Sequence, residues 1–352
     1  MDSTAAAAAT VAVAAATVAV AVSDVDGGGD APITALHPDI IQSHILNRLD
    51  GPTLAAAGCS SAHLLSLCAD DHLWKEICNT TWPSTADSSV RDAISAFPSG
   101  HRSFYSDSFP AVRCDFLNNK QSSKYARPIE TSELISAVDI YYEDTLLYSK
   151  VLRTETSSSW FANSPFRLDL FECNETVATP LKFDGACTEL AKERLRVSWI
   201  LINPSENRAI NVASANAVDA RRHWLTEGIQ LRFATVSAGE GDEPVQLSVS
   251  VTSGGKDGGE LQLREVSLQV EDMEGRTLTG RDSMVILQRA MEGQRCKSNR
   301  GMEKGNYEEF LRRKELLTLR TRRRENLMDT CCMFIGLSIF LFGIWLFFLM
   351  RR

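Results

Sequence analysis

Five cysteine and histidine residues fall within twenty positions on the N-terminal side of the chain, and together they could ligate a metal ion. They are Cys59, His63, Cys68, His72 and Cys78. A structural zinc site needs paired ligands such as Cys-x-x-Cys, because closely spaced thiolates supply two corners of its tetrahedron. That pairing is missing here, and several of these positions fall on predicted helices. We therefore predict no metal site and no cofactor.

Short catalytic motifs are also missing from the sequence. It contains no Gly-x-Ser-x-Gly elbow, no Gly-x-x-x-x-Gly-Lys phosphate loop and no His-Glu-x-x-His helix. A histidine or carboxylate without a positioned partner does not make a catalytic site. The chain is therefore predicted not to be an enzyme, and an enzyme whose site assembles from distant residues is the weakest of the alternatives.

Other side chains could bind a substrate or ligand without reacting. Trp160, Trp199 and Trp224 could stack on a ligand, and Arg221 and Arg222 could pair with an acidic partner. Aromatic residues at strand positions more often belong to a core, and a basic turn is more often solvated. Both interpretations stay open at the level of sequence.

The composition limits what these residues can belong to. The chain has 352 residues, 44% hydrophobic and 23% charged, which is ordinary for a globular protein long enough for two packed units. A formal charge of -8 argues against nucleic acid as a partner. Nine scattered cysteines without a short-spaced framework indicate reduced thiols.

The two ends of the chain are both apolar but predict different things. Residues 4–22 are almost only Ala, Val and Thr, and no Lys or Arg precedes them. A signal sequence needs a basic start, so residues 1–30 are predicted to be a disordered Ala-rich tail. Residues 331–350 contain no charged side chain, and twenty helical residues span roughly 30 Å, the thickness of the hydrocarbon core of a bilayer. They predict a transmembrane helix.

Basic residues precede the apolar segment and predict its orientation. Residues 293–330 are read as a basic helical juxtamembrane segment, with arginines clustered at Arg320, Arg322, Arg323 and Arg324. By the positive-inside rule, this side of the helix stays in the cytosol. The expectation is a single-pass, tail-anchored protein with its bulk in the cytosol, at a membrane that the sequence does not identify.

Residues 31–80 show helical periodicity. Apolar side chains recur at spacings of three and four between Leu36 and Leu49, and Pro38 suits the first turn of a helix. Asp50-Gly51-Pro52 breaks this helix, and Thr53 is placed to cap a second helix over residues 54–67. A third short element follows around Trp74. The pattern predicts a small module of three helices.

This module resembles an F-box. The resemblance rests on four stretches in the order and spacing of that family: Leu36-His37-Pro38-Asp39, Ile45-Leu46-Asn47-Arg48-Leu49, Gly58-Cys59-Ser60-Ser61-Ala62 and Leu73-Trp74-Lys75. Two positions depart from the family pattern, because the proline stands one place late and Ala62 replaces an aromatic residue.

The resemblance implies docking onto the Skp adaptor of a cullin-based ubiquitin ligase. A module this small cannot bury all of its apolar residues, so an exposed stripe would mark the partner surface. The residues expected to bind the adaptor are Leu36, Pro38, Ile40, Ile45, Leu49, Leu54 and Cys59. The alternative is that they form only the core of a helical domain.

After a linker with short helices at residues 81–127, residues 128–292 are predicted to be a β-rich domain that binds the substrate. The predicted strands are 135–142, 145–152, 166–171, 195–202, 208–212, 229–236, 245–251 and 261–270. Alternation in the last strand shifts after Leu263, which indicates a β-bulge. Such strands favour an antiparallel sandwich.

The whole layout therefore predicts an α+β protein: a three-helix F-box, an antiparallel β-rich domain and one C-terminal transmembrane helix. It is similar to plant F-box proteins with a lectin-like or an uncharacterised strand-rich region, through residues 195–200 and 221–225. That resemblance implies a non-catalytic subunit that recognises an unknown protein substrate. The alternative is a tail-anchored lectin-like or lipid-binding module without a ligase role.

Overall fold

The computed structural model describes residues 36–109, 111–112, 131–184, 187–222, 228–239, 243–256, 258–293, 295–296 and 300–351. The predicted Ala-rich tail lies outside these ranges. The chain divides into two units, Met1–Ile77 and Cys78–Arg352. The fold combines helices with antiparallel sheets and ends in one long apolar helix, as the sequence predicts.

The first unit is helical from Pro38 onwards. Its first helical segment is continuous and consists of α1 (Pro38–Ile40), a π-helical turn (Ile41–Ile45) and a 3₁₀ turn (Leu46–Arg48). Three further helices follow: α2 (Gly51–Gly58), α3 (Ala62–Cys68) and α4 (Asp71–Thr81). The unit is thus more finely divided than the three helices predicted.

The predicted second helix over residues 54–67 is wrong, because the structure breaks it into α2 and α3. Ser61 is extended between them, and its hydroxyl accepts a hydrogen bond from the backbone N–H of Leu64 at 3.2 Å. This is an N-cap, which starts a new helix. The predicted cap of α2 is also displaced, because the Asp50 carboxylate accepts from the backbone N–H of Thr53 at 3.0 Å.

A subset of the apolar residues of the first unit forms a small core. Ile41 and Leu46 stand five positions apart, and the π-helical turn between them, with its wider winding, lets both be buried. Leu54, Leu73 and Trp74 are buried as well. The indole N–H of Trp74 donates to a backbone carbonyl at the end of α3 at 2.7 Å, which ties α4 to α3.

The second unit contains two antiparallel sheets and a short strand pair. The larger sheet has the order β4-β11-β10-β9-β8, with β5 also paired to β11, and the smaller sheet has the order β3-β2-β6-β7. The strands are β1 (Ala111–Val112), β2 (Glu133–Tyr142), β3 (Thr145–Glu155), β4 (Arg167–Asp169), β5 (Val177–Lys182), β6 (Leu195–Asn203), β7 (Arg208–Asn211), β8 (Asp219–Arg222), β9 (Ile229–Ala238), β10 (Pro244–Gly254), β11 (Glu260–Glu271) and β12 (Arg295–Cys296). All eight predicted strands are present.

The predicted bulge in β11 is confirmed. The register of β11 against β10 shifts between Thr252 and Ser253, which lie opposite Glu265 and Leu263. The extra residue restores the alternation, so that apolar side chains on both sides of the shift point into the core.

Both sheets contribute their inner faces to one hydrophobic core. Trp199 of β6 and Val138 of β2 lie opposite each other in the smaller sheet, and Phe233 of β9 and Val249 of β10 do so in the larger sheet. Three helices of this unit flank the sheets: α7 (Ser159–Asn163), α8 (Cys187–Arg194) and α9 (Gly280–Glu292). Of these, α9 buries a row of apolar side chains against the core.

The described part of residues 81–127, expected to be a linker, packs against the smaller sheet. It contains a 3₁₀ turn (Pro83–Ala86) and the helices α5 (Ser88–Ser95) and α6 (Gly100–Ser108). The buried carboxylate of Asp139 on β2 accepts from the backbone N–H of Ser84 at 2.9 Å and from the hydroxyls of Ser84 and Ser149. Burial raises the pKa of Asp139 despite these hydrogen bonds.

Arg295 of β12 joins α6, β7 and the end of α9. Its guanidinium donates to five backbone carbonyls at 2.7 to 3.1 Å; they belong to Asp107, Ala209, Ala290, Met291 and Gly293. Arg208 beside it forms an ion pair of 2.8 Å with Asp107. Burial lowers the pKa of Arg295 and raises that of Asp107. This arginine closes the C-terminal end of α9, where carbonyls lack partners within the helix.

The last element is one continuous helix, α10 (Arg300–Met350). Its first turns pack on the larger sheet, where buried Phe310 contacts Val236 and Met273. Arg312 and Arg313 both donate to the Glu309 carboxylate and lower its pKa to about 2. The first part of the predicted juxtamembrane segment is therefore docked on the β-rich unit, and the helix is mostly exposed from Leu316 onwards.

Candidate functional site

The start of the first unit presents apolar side chains to solvent. Leu36 and Ile40 are each 46% exposed, and Pro38 between them is also exposed. Their neighbour Ile41 is fully buried. An apolar surface next to the unit's own core is the arrangement expected of a partner-binding site.

Local backbone geometry shows how a proline one place late can still open this helix. His37 is extended, with φ −62° and ψ 135°, and its Nδ1 accepts from the backbone N–H of Asp39 at 3.3 Å. Pro38 then occupies the first helical turn, where its missing N–H leaves no hydrogen bond unmade. The cap and the proline hold Leu36 and Ile40 at the surface.

The other predicted adaptor-binding residues divide between surface and core. Cys59 is exposed, and Ile45 and Leu49 are half-buried. Leu54 is fully buried, so in this structure its side chain belongs to the core of the unit rather than to the surface. Leu65 of α3, which was not predicted as a site residue, is 44% exposed. Its position outside the Leu64–Leu67–Cys68 face of the helix is the signal that could have identified it.

The predicted ligand-binding aromatic residues are not brought together. Trp160, on α7, is 79% exposed, whereas Trp199 is fully buried in the core. A side chain with no exposed surface cannot stack on a ligand in this conformation. The indole N–H of Trp199 has no hydrogen-bond partner among the described residues. Trp224 lies outside them.

The two candidate arginines lie on β8 at the edge of the larger sheet. Arg221 pairs with Asp219 at 2.6 Å, and Arg222 donates to the backbone carbonyl of Asp184 at 2.9 Å. Arg221 lies opposite Gln230 of β9. Arg221 therefore lies on the same face of the sheet as Gln230, which is the outer face that points away from the core.

This outer face carries a polar groove of about 300 Å³. Side chains of β4, β9, β10 and β11 line it, and the buried end of α10 occupies another part of the same face. Sequence reasoning did not identify the groove. Within the described part of the chain, no group of three or more histidine, cysteine or acidic residues is arranged to hold a metal ion.

Similar proteins are found among curated plant sequences. F-box protein At2g27310 of Arabidopsis thaliana is 43% identical over 337 residues, which cover 91% of this chain and 97% of that protein. F-box protein At3g44326 of the same plant is 38% identical, with 92% and 93% covered. Probable F-box protein At2g36090 is 40% identical, with 87% and 90% covered.

Two further comparisons gave no match. No protein-family model matches the sequence, and no solved structure matches the fold. The three alignments nevertheless extend over nearly the whole chain, including the β-rich unit, at identities of 38 to 43%. The chain therefore belongs to the plant F-box protein family.

Proposed function

We propose that this protein is the substrate-recognition subunit of a Skp–cullin–F-box ubiquitin ligase, held at a membrane by its C-terminal helix. The observation that carries the proposal is the exposed apolar surface of Leu36, Pro38 and Ile40 at the start of the F-box unit. In this role the chain carries out no chemistry. It raises the encounter rate between a bound target and the ubiquitin-charged enzyme by increasing their effective concentration.

The adaptor-binding step is tested with charges on the exposed apolar surface. We expect the double variant Leu36→Asp, Ile40→Asp to reduce co-purification of the Skp adaptor at least tenfold. Buried interfaces exclude unpaired charges, and each lost apolar anchor costs about 1–2 kcal/mol or more. Because both side chains are already half exposed, the fold of the unit should tolerate the change.

Leu146→Asp provides a matched control for this variant. Leu146 is a leucine of similar exposure, 40%, near the start of β3 in the second unit. The Leu146→Asp variant should recover as much adaptor as the wild-type chain. Equal recovery with the wild-type and double-variant chains would contradict the proposed adaptor surface.

The membrane anchor rests on residues 331–350 of α10. A window of this helix has mean hydropathy 2.2, and none of it is buried within the structure. Apolar side chains such as Phe340 and Trp345 point outward into the surroundings. A helix of this length and composition is stable across a bilayer, where its backbone is fully hydrogen-bonded. The upstream arginines support a topology in which the F-box and β-rich units face the cytosol, by the positive-inside rule.

Deleting residues 331–352 should move the protein from the membrane pellet to the soluble fraction. The spanning helix supplies most of the apolar area that lipid would cover, whereas the basic residues alone bind a surface reversibly. Fractionation after a carbonate wash measures this change. A chain in which an unrelated Leu/Ala helix replaces residues 331–350 should return to the pellet. If the truncated chain stays in the pellet, residues 331–350 are not the anchor.

A further inference from the structure

The groove on the outer face of the larger sheet is concave because short side chains lie at its centre. Ser250 of β10 and Ser267 of β11 are directly opposite each other in the sheet. Longer side chains on the neighbouring positions surround them, among them Gln230 and Gln269. The depression is therefore built by the register of the strands and not by a loop that could close.

The charges at the rim of the groove are neutralised within the protein. Arg167 pairs with Glu265 and, at 2.8 Å, with Asp169. On the other side, Arg232 pairs with Glu271 at 3.3 Å. Among the described residues that line the groove, the two arginines are thus matched by two glutamates. An ionic ligand would have to break these pairs, so the groove favours an uncharged one.

Its interior offers hydrogen bonds that the protein does not use. The side chains of Gln230, Thr252, Ser267 and Gln269 have no hydrogen-bond partner in the described part of the chain. Ser267 is only 2% exposed, so its hydroxyl faces the groove with little access to bulk water. Hydroxyl and amide groups both donate and accept, and buried ones are normally paired. These groups fit a ligand that carries amides and hydroxyls of its own.

The lining residues and the volume of the groove favour a polypeptide over a small molecule. Among the residues that the structure describes, no aromatic side chain lines it, so a sugar ring would find no platform for stacking there. Its volume is at the lower limit of small-molecule pockets, which bury most of their ligand. An extended peptide can insert one or two side chains into the groove and cover the surrounding sheet with its remaining length.

We propose that this groove binds an extended, uncharged polar segment of the target protein, with Ser, Thr, Asn or Gln side chains in contact with Ser250 and Ser267. The assignment rests on the proposed function, since it gives the substrate-recognition role a site. Trp160 and Trp199, which the sequence suggested as ligand-binding aromatic residues, do not line this site.

The test uses the full chain in lipid nanodiscs as the target for a random-peptide display library. Selected peptides should be enriched in uncharged polar residues. A synthetic peptide of the selected consensus is then titrated by fluorescence anisotropy. The double variant Gln230→Ala, Gln269→Ala should bind it at least tenfold more weakly, because two amide contacts are lost without filling the groove. Ser250→Leu, which fills the centre, should abolish binding.

Thr145→Leu is the matched control, since it makes a hydroxyl-to-leucine change at an exposed strand position of the smaller sheet. It should bind the peptide like the wild-type chain. Enrichment of charged or apolar peptides, failure to select any peptide, or binding unaffected by both groove variants would overturn the assignment. Adaptor co-purification is measured on the same proteins. If the wild-type chain does not co-purify with the adaptor, the ligase role is rejected. The groove variants should co-purify with the adaptor as the wild-type chain does.

Discussion

Replacing Trp199 by alanine should lower the free energy of unfolding of the second unit by about 3–5 kcal/mol, the cost of removing a large aromatic side chain from a packed core. Trp199 is fully buried in β6, among side chains from both sheets. Strand β6 cannot move into the resulting cavity without losing its register with β2 and β7 on either side. Pulse proteolysis of the detergent-solubilised chain across a urea series measures the change.

Trp160→Ala is the control for this experiment, because it removes the same side chain from a position that is 79% exposed. It should change the free energy of unfolding by no more than about 0.5 kcal/mol. Trp199→Phe should cost less than Trp199→Ala, since it keeps an aromatic ring and removes an N–H that lacks a partner among the described residues. Equal costs for the two alanine variants would contradict the assignment of Trp199 to the core.

Replacing Arg295 by methionine is expected to cost about 3 kcal/mol or more of the free energy of unfolding. Methionine keeps much of the length but leaves five backbone carbonyls without the donor they share. It also leaves Asp107 with one cation fewer in a partly buried site. The same urea series reports the loss, and native-state hydrogen exchange should show it at the end of α9.

Arg281→Met is the corresponding control, since Arg281 is exposed near the start of α9. Its replacement should change stability by about 0.5 kcal/mol or less. Arg295→Lys should fall between the two, because a single ammonium group cannot reach carbonyls on several sides as a planar guanidinium does. A negligible cost for Arg295→Met would show that these hydrogen bonds do not hold the elements together.

Alternation of apolar residues was enough to predict the long strands, because one face of each meets the core. It missed the short strands β5 and β8 of the larger sheet, as well as the two-residue strands β1 and β12. Pro180 interrupts β5, and β8 reads Asp-Ala-Arg-Arg, which lacks an apolar face. The predicted helix over residues 54–67 failed for a different reason. Periodicity continued through a serine whose capping hydrogen bond depends on backbone conformation.

The candidate sites show a sharper limit of sequence reasoning. Trp160 and Trp199 have the same chemistry, and only the structure shows that Trp199 is buried in the core while Trp160 is exposed on α7. Ser250 and Ser267 are unremarkable in sequence, and they form the centre of a groove only because β10 and β11 align them. In the first unit the apolar pattern was visible in the sequence, yet only the structure shows that Ile40 is exposed and that its neighbour Ile41 is buried.

The continuity of α10 has a consequence for the reach of the protein. About twenty residues of uninterrupted helix separate docked Phe310 from the start of the apolar segment, a length of roughly 30 Å at 1.5 Å per residue. A helix transmits position where a flexible linker would not. In the proposed anchored arrangement it acts as a strut of fixed length. Targets would then be sorted by how far their recognition segment stands from the lipid surface, as well as by its sequence.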